Sequence, residues 1–448
     1  MSDAEAHYRE GLRHQDDGRH AEAEASYRRS LALDPRQPKA HNNLGCVLQM
    51  QGRLDDAVSS FRAALALDPQ LAQANQNLAA ITREAGAAHG ALASYRRHLE
   101  ANPGDAEAHN NLGNVYRELG MHREAIDSFA QAIQLAPDYA EAHFSRAFEL
   151  LICGEYAEGF DEFEWRWKVR GLRNSLAGFP MQLWDGGALA GALLLHSEQG
   201  FGDTLHAIRY ASLAAARVRE VVVVCQRELI GLAAAVPGVS RALPAGAPLE
   251  GSFAAHLPLM SLPRVFRTTP QTIPWSGPYI QARKMERWQL PADSARLRVG
   301  LAWAGQPMQG DDRKRSLSLA ALAPLAQSDV AFYSLQKGEA AAQATAPPAG
   351  MRVVELGSRF TDFSDTAGAM SHLDLVITVD TSVAHLAGAM GLPTWVLLSA
   401  VPDWRYGAEG ERTPWYPTMR LFRQRADGDW GGVLVEVAQA LREAVRRS

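Results

Sequence analysis

Prolines recur every 34 residues through the first third of this 448-residue chain, at Pro35, Pro69, Pro103 and Pro137. A fixed period of that length means one short supersecondary unit copied along the chain, and such units bury their apolar faces only by stacking on one another. Other positions keep step. Gly18, Gly52, Gly86 and Gly120 fall between two helices; Ala23, Ala57, Ala91 and Ala125 let two helices approach; Tyr27, Phe61, Tyr95 and Phe129 fill the seam with the next pair. The pattern predicts a helical array of the kind that holds another polypeptide.

This repeat resembles the tetratricopeptide repeat over roughly residues 4–137. A weaker fifth unit keeps Gly154 and Phe163 but has Gly159 in place of alanine, so a cap or junction is expected and the array is taken to occupy 1–170. Asn43, Asn77 and Asn111 share the period in the first helix of three repeats. An amide carries both donor and acceptor, so a row of them can pair with an extended peptide of any sequence. Such a ladder is the expected peptide-binding face; solvated consensus asparagines are the alternative.

The formal charge of −5 gives no electrostatic case for a nucleic-acid partner. No apolar run is long enough for a membrane span, and the N-terminal MSDAEAHYREG is charged and polar, so the expected location is cytoplasmic. Cys46, Cys153 and Cys225 lack metal-type spacing and fit a reducing compartment.

After the basic, aromatic segment EWRWKVRGLRNS the texture changes. Apolar runs such as ALLLHS, EVVVVCQ, RLRVGLAWAG, VAFYSLQ, MRVVEL, LDLVITVD and PTWVLLS alternate with helical segments, which predicts parallel α/β sheets. Two Rossmann-like units are expected, at 171–285 and 296–448, with a proline-containing linker between them. Their ligand site should lie at the carboxyl ends of the strands.

Two constellations carry chemistry. Gln199-Gly200-Phe201-Gly202-Asp203 follows a strand and opens a helix, where glycines permit a tight turn. Asp203 is either a helix cap or a general base aimed into the cleft. In the second, LDLVITVD ends at Asp380, and Thr381 and Ser382 open a helix whose N–H groups suit a diphosphate, with His385 one turn along.

GFGDT, followed about 175 residues later by DTSVAHLAGAMGLP, resembles the ADP-heptose:lipopolysaccharide heptosyltransferase family, glycosyltransferase family 9. The likeness is closer to bacterial proteins that join tetratricopeptide repeats to such a domain, and GLAWAG, DRKRS, SLQKG, PDWR and PWYPTMRLFRQ look like that subgroup's segments. It implies an α-solenoid followed by a GT-B fold, two Rossmann-like domains facing a cleft. It further implies that Asp203 deprotonates an acceptor hydroxyl and that Lys314, with Arg313 and Arg315, neutralises the donor's pyrophosphate. Asp380, Thr381, Ser382 and His385 would then hold donor sugar and phosphates, and Gln336, Lys337 and Gly338 the nucleotide. The family usually has glycine where this chain has Ser382, so heptose is not assumed.

The resemblance implies direct displacement with inversion, from a nucleotide-sugar donor, ADP-linked in the best-known members, without a metal or other cofactor. Asp311-Asp312 is read as a surface loop. The expected acceptor is a polypeptide held by the repeats. The alternatives are a glycan or lipid-linked acceptor, with the repeats used for homo-oligomerisation, and a non-catalytic scaffold.

Overall fold

The computed structural model describes residues 3–51, 53–84, 88–169, 179–282, 288, 290, 295–305, 312–425 and 428–447. Two compact units divide the chain, Met1–Glu149 and Leu150–Ser448.

The first unit is a run of antiparallel helix pairs: α1 (Asp3–Asp16) with α2 (His20–Leu33), α3 (Pro38–Met50) with α4 (Leu54–Leu67), α5 (Ala72–Glu84) with α6 (Ala88–Ala101), and α7 (Ala106–Glu118) with α8 (His122–Leu135). Of the periodic glycines, Gly18 and Gly120 turn the chain with φ of 71° and 70°, a left-handed conformation that a side chain would strain. Gly52 and Gly86 lie outside the described residues. Asp105 caps α7, its carboxylate accepting the Ala108 N–H at 3.0 Å.

The periodic aromatics do more than fill the seam to the next pair. A Cβ placed on Gly11, Gly45 or Gly113 would come within 2.6, 2.5 or 2.6 Å of the ring of Tyr27, Phe61 or Phe129. Each of these rings therefore lies directly on the backbone of the partner helix in its own pair, and a second glycine period makes room for it. The rings are fully buried, and each contributes about 1.5–3 kcal/mol by leaving water.

The second unit opens with the end of a helix and α10 (Tyr156–Phe163), then forms two parallel sheets. The division at 149/150 thus falls inside α9 (Ala140–Ile152), the first helix of the weak fifth repeat, and not at 170. The reason is packing. Tyr156 stacks on Trp415 at 5.6 Å, and Phe160 meets Trp404 edge-on at 5.6 Å, so the repeat-like helix shares the α/β core.

The first sheet contains β1 (Leu189–His196), β2 (Val218–Cys225), β3 (Arg241–Pro244) and β4 (Phe253–Pro258), in the order β3-β2-β1-β4. The second contains β5 (Leu297–Ala302), β6 (Val330–Ser334), β7 (Val353–Glu355), β8 (Leu375–Val379), β9 (Thr394–Leu398) and β10 (Met419–Arg423), in the order β10-β9-β8-β5-β6-β7. Every paired strand is parallel. Valine-rich runs such as Val221–Val224 are buried throughout, as strands covered on both faces require.

Both sheets reverse their winding beside a central strand. The first does so between β1 and β4, the second between β5 and β8. At such a switch point the loops leaving adjacent strands part and open a crevice at their carboxyl ends. Ser197–Asp203 follows β1, and Asp380 follows β8, so both constellations emerge where the topology makes space.

Candidate functional site

A cavity of about 710 Å³ is lined by both constellations: Gln199–Asp203 on one side, Asp380–Val383 and His385 on the other, with Arg315, Gln336–Ala340, Phe363, Asp403 and Arg405. It is large enough for a nucleotide-sized ligand.

The glycine-rich loop leads into α11 (Phe201–Ala207), with Gly200 at its N-cap. Asp203 takes part in the helix cap and also lines the cavity. One carboxylate oxygen accepts the Gly200 N–H at 2.9 Å, the cap; the other meets the Arg405 guanidinium at 2.5 Å inside the cavity wall. Gly202 is fixed by contact: a Cβ there would lie 2.6 Å from Cδ2 of His385. Its glycine lets α11 approach α13 (Ser382–Ala389), the helix after β8 that follows α12 (Phe363–Met370). Gln199 is held through its carbonyl by the Gln226 amide at 2.8 Å.

Across the cavity, Thr381 caps α13, its hydroxyl accepting the Val383 N–H at 3.3 Å, and Thr381 and Ser382 both line the cavity. Asp380 accepts the Tyr406 hydroxyl at 3.0 Å. Burial and then the like charge of Asp403 raise its carboxyl to about 6, against the opposing pull of Arg315, the Tyr406 hydroxyl and Arg405. His385 bonds the Tyr416 hydroxyl through Nδ1 at 2.9 Å. Burial and the charges of Arg405, Arg209 and Arg315 drive its pKa well below the ordinary value, so the ring is neutral.

The basic triplet is resolved residue by residue. Lys314 is exposed and absent from the cavity wall, whereas Arg315 lines it half-buried; one turn of helix, Asp312–Arg315, sets which cation faces in. Of the two, only Arg315 faces the cavity. The side chains of Arg313 and Asp312, and all of Asp311, lie outside the described residues.

Gln336 lines the cavity but its amide is committed. The carbonyl accepts the Trp303 and Ala304 N–H groups at 3.0 and 2.9 Å, and the nitrogen donates to the Ala304 and Lys337 carbonyls at 2.9 and 3.0 Å. It staples the ends of β5 and β6 together and has no capacity left for a nucleobase, contrary to the expected contact. Lys337 donates to the Phe360 carbonyl at 2.8 Å, and Gly338 turns the chain at φ 78°.

In the first unit the asparagine ladder is partly spent on itself. Asn43 donates to the Tyr8 hydroxyl at 3.2 Å, and Asn77 to the Asn42 carbonyl and the Cys46 sulfur at 3.0 and 3.1 Å. Asn111 is half-buried.

Arg405, Asp403, Tyr406 and Tyr416 were not singled out from the sequence. The motif PDWR, after an apolar strand, was the available signal for the first two. Among the described residues, no group of three His, Cys, Asp or Glu side chains is placed to hold a metal ion. No helix among them is long and apolar enough to cross a membrane.

The pattern of the tetratricopeptide repeat family matches residues 8–72 and 106–139. The first unit is a tetratricopeptide repeat array. Protein FlbA of Caulobacter vibrioides is 25% identical over 346 residues, 67% of this chain and 54% of its own length, so the chain spans about half of that relative. MamA of Desulfovibrio magneticus RS-1 is similar over 40% of this chain and 99% of its own, at 22% identity and a TM-score of 0.35. YrrB, described as a TPR protein with an unusual peptide-binding site, matches over 38% of this chain and 87% of its own, at 20% identity and a TM-score of 0.34.

Proposed function

We propose that the second unit is a metal-independent, inverting glycosyltransferase with a GT-B architecture, resembling glycosyltransferase family 9, and that the repeat array recruits its acceptor, a polypeptide. The observation that carries this reading is the meeting of GFGD and DTSVAH at the switch points of two parallel sheets, on the walls of one 710 Å³ cavity. A transferase that joins two substrates needs such facing sites, one per substrate.

In this reading the donor's diphosphate lies at the N-terminus of α13 beside Arg315, where helix N–H groups and a fixed cation stabilise the charge that builds on the departing oxygen. The acceptor oxygen attacks the anomeric carbon as its proton passes to Asp203. The bond to the diphosphate breaks with its electron pair going to the leaving group. Neutral His385 offers hydrogen bonding without a second permanent charge beside the sugar. The donor's base and sugar are left open, and Ser382 adds a hydroxyl where the family has glycine.

A thermal-shift screen of the full chain against nucleotide sugars tests this. A donor at a hundred times its Kd stabilises the unit it binds by about 2.7 kcal/mol, so one compound should raise the second unit's melting temperature by several degrees. Absence of a shift with every common nucleotide sugar would remove the reading.

A further inference from the structure

The most buried cation at the cavity wall, Arg405, is only 4% exposed and is shared between two acids. Its NH1 reaches both Asp403 oxygens at 3.0 Å, and its NH2 reaches Asp203 at 2.5 Å. The Trp404 ring lies 4.5 Å from the guanidinium carbon, and the Met260 sulfur is 3.7 Å from NH2. Nε is buried and has no partner among the described residues. Asp403 thus engages NH1 with both of its oxygens and leaves NH2 to Asp203 and Met260. The Asp203 contact is additional, and it occupies the carboxylate oxygen that the cap at Gly200 leaves over.

That arrangement sets two requirements against each other. A diphosphate beside Asp380, Thr381 and Ser382 meets the carboxylates of Asp203, Asp380 and Asp403, and Arg405 joins Arg315 as a fixed cation on that wall. One lone pair of that Asp203 oxygen is engaged by Arg405, so the carboxylate shares its charge with the guanidinium instead of with an acceptor hydroxyl.

We propose that Arg405 is an exchange residue: a donor diphosphate takes the NH2 hydrogen bonds from Asp203, and the carboxylate so released becomes the proton acceptor. This rests on the glycosyltransferase reading and orders its steps. The base becomes competent only on a site loaded with donor. The exchange replaces one charge-assisted bond by another, while Asp403 keeps the guanidinium paired throughout. Arg405 thereby touches donor and base in turn, and the sequence of contacts couples donor binding to acceptor activation.

The two acids make the proposal testable by the sign of an effect. In the full chain, binding of UDP, GDP, ADP and inorganic pyrophosphate is measured by calorimetry. Asp203→Asn keeps an oxygen for the Gly200 cap but gives up its claim on Arg405, so the best-bound probe should bind about three- to tenfold more tightly, whereas a merely structural aspartate would weaken or spare binding. Removal of a negative charge could tighten binding through the field alone, and a double-mutant cycle separates the two. With Arg405→Gln in place, Asp203→Asn should change affinity less than about twofold if exchange operates. A gain that persists undiminished, or no gain in the single variant, overturns the exchange while leaving nucleotide binding intact. If the wild-type chain binds none of the four probes, the glycosyltransferase reading falls and the exchange with it. Should either variant fail to fold, Asp203→Ser and Arg405→Gln combined with Asp403→Asn carry the same cycle, the latter because Asp403 is not left charged without its arginine.

Discussion

The repeat array and the α/β unit solve the same problem, fixing side chains in space, by opposite means. In the array every important contact is local and copied: Tyr27 on Gly11, Phe61 on Gly45, Phe129 on Gly113. In the α/β unit the contacts that matter join residues far apart in the chain, as Arg405 joins Asp203 across 202 positions. The first design spreads stability over interchangeable modules; the second concentrates it in a few buried polar crossings. A change in the array should be felt by its neighbours, whereas a change at a crossing should be felt by the whole unit and its site.

Arg166 should show the largest effect. It is 1% exposed, binds Glu198 at 2.8 Å and 3.1 Å, and also donates to Glu164 and Ser261, tying the helical segment after α10 to the loop that carries Asp203. Arg166→Met strands Glu198, whose carboxyl burial already pushes up, and should cost about 3–5 kcal/mol. Denaturation should show the loss in the second unit's transition and none in the array's. Phe129→Ala inverts that test. A cost of about 3 kcal/mol should appear in the array, with nucleotide binding unchanged; loss of binding would mean the units are coupled more tightly than their separate cores imply.

Gly202→Ala addresses the approach of α11 to α13. A Cβ 2.6 Å from the His385 ring forces one of them to move, which should cost about 2 kcal/mol and lower transfer. Asp380→Asn should be comparable in size and pH-dependent. Folding raises this carboxyl from 3.8 to about 6, so the folded state holds more protons between those values and the wild type loses stability as pH rises through them. The asparagine variant should lie close to wild type at pH 4 and exceed it by about 2–3 kcal/mol at pH 8, in melting curves at the two values. Asn77→Ala should be smallest, about 0.5 kcal/mol, since its amide partners only Asn42 and Cys46 in the described contacts.

The same contrast explains what could be read from the sequence. The 34-residue period exposed the helix pairs and the turn at Gly120, because one register repeats four times. The strands and their terminal motifs were legible from apolar runs ending at His196 and Val379. The matching glycines at 11, 45 and 113 were present in the period but acquire meaning only when the aromatic rings are seen to rest on them. Arg405, Tyr406 and Tyr416 gave no periodic signal, because their partners lie in other elements. Arg315 replaced Lys314 at the wall through the phase of a single helical turn, which composition does not encode. Gln336 looked available because hydrogen-bond satisfaction is a three-dimensional property. The repeat boundary shifted for a related reason: Tyr156 and Phe160 keep a repeat-like pattern but find their partners in Trp415 and Trp404.

The central claim, that the cavity between the two sheets is a nucleotide-sugar transfer site, is tested most directly by release of nucleoside diphosphate from the sugar nucleotide that raises the melting temperature most. The account predicts slow release by the full chain, about a hundredfold or more slower in Asp203→Asn, and unaltered in Phe129→Ala. Equal release by wild type and Asp203→Asn, or none by wild type with any nucleotide sugar, would contradict it.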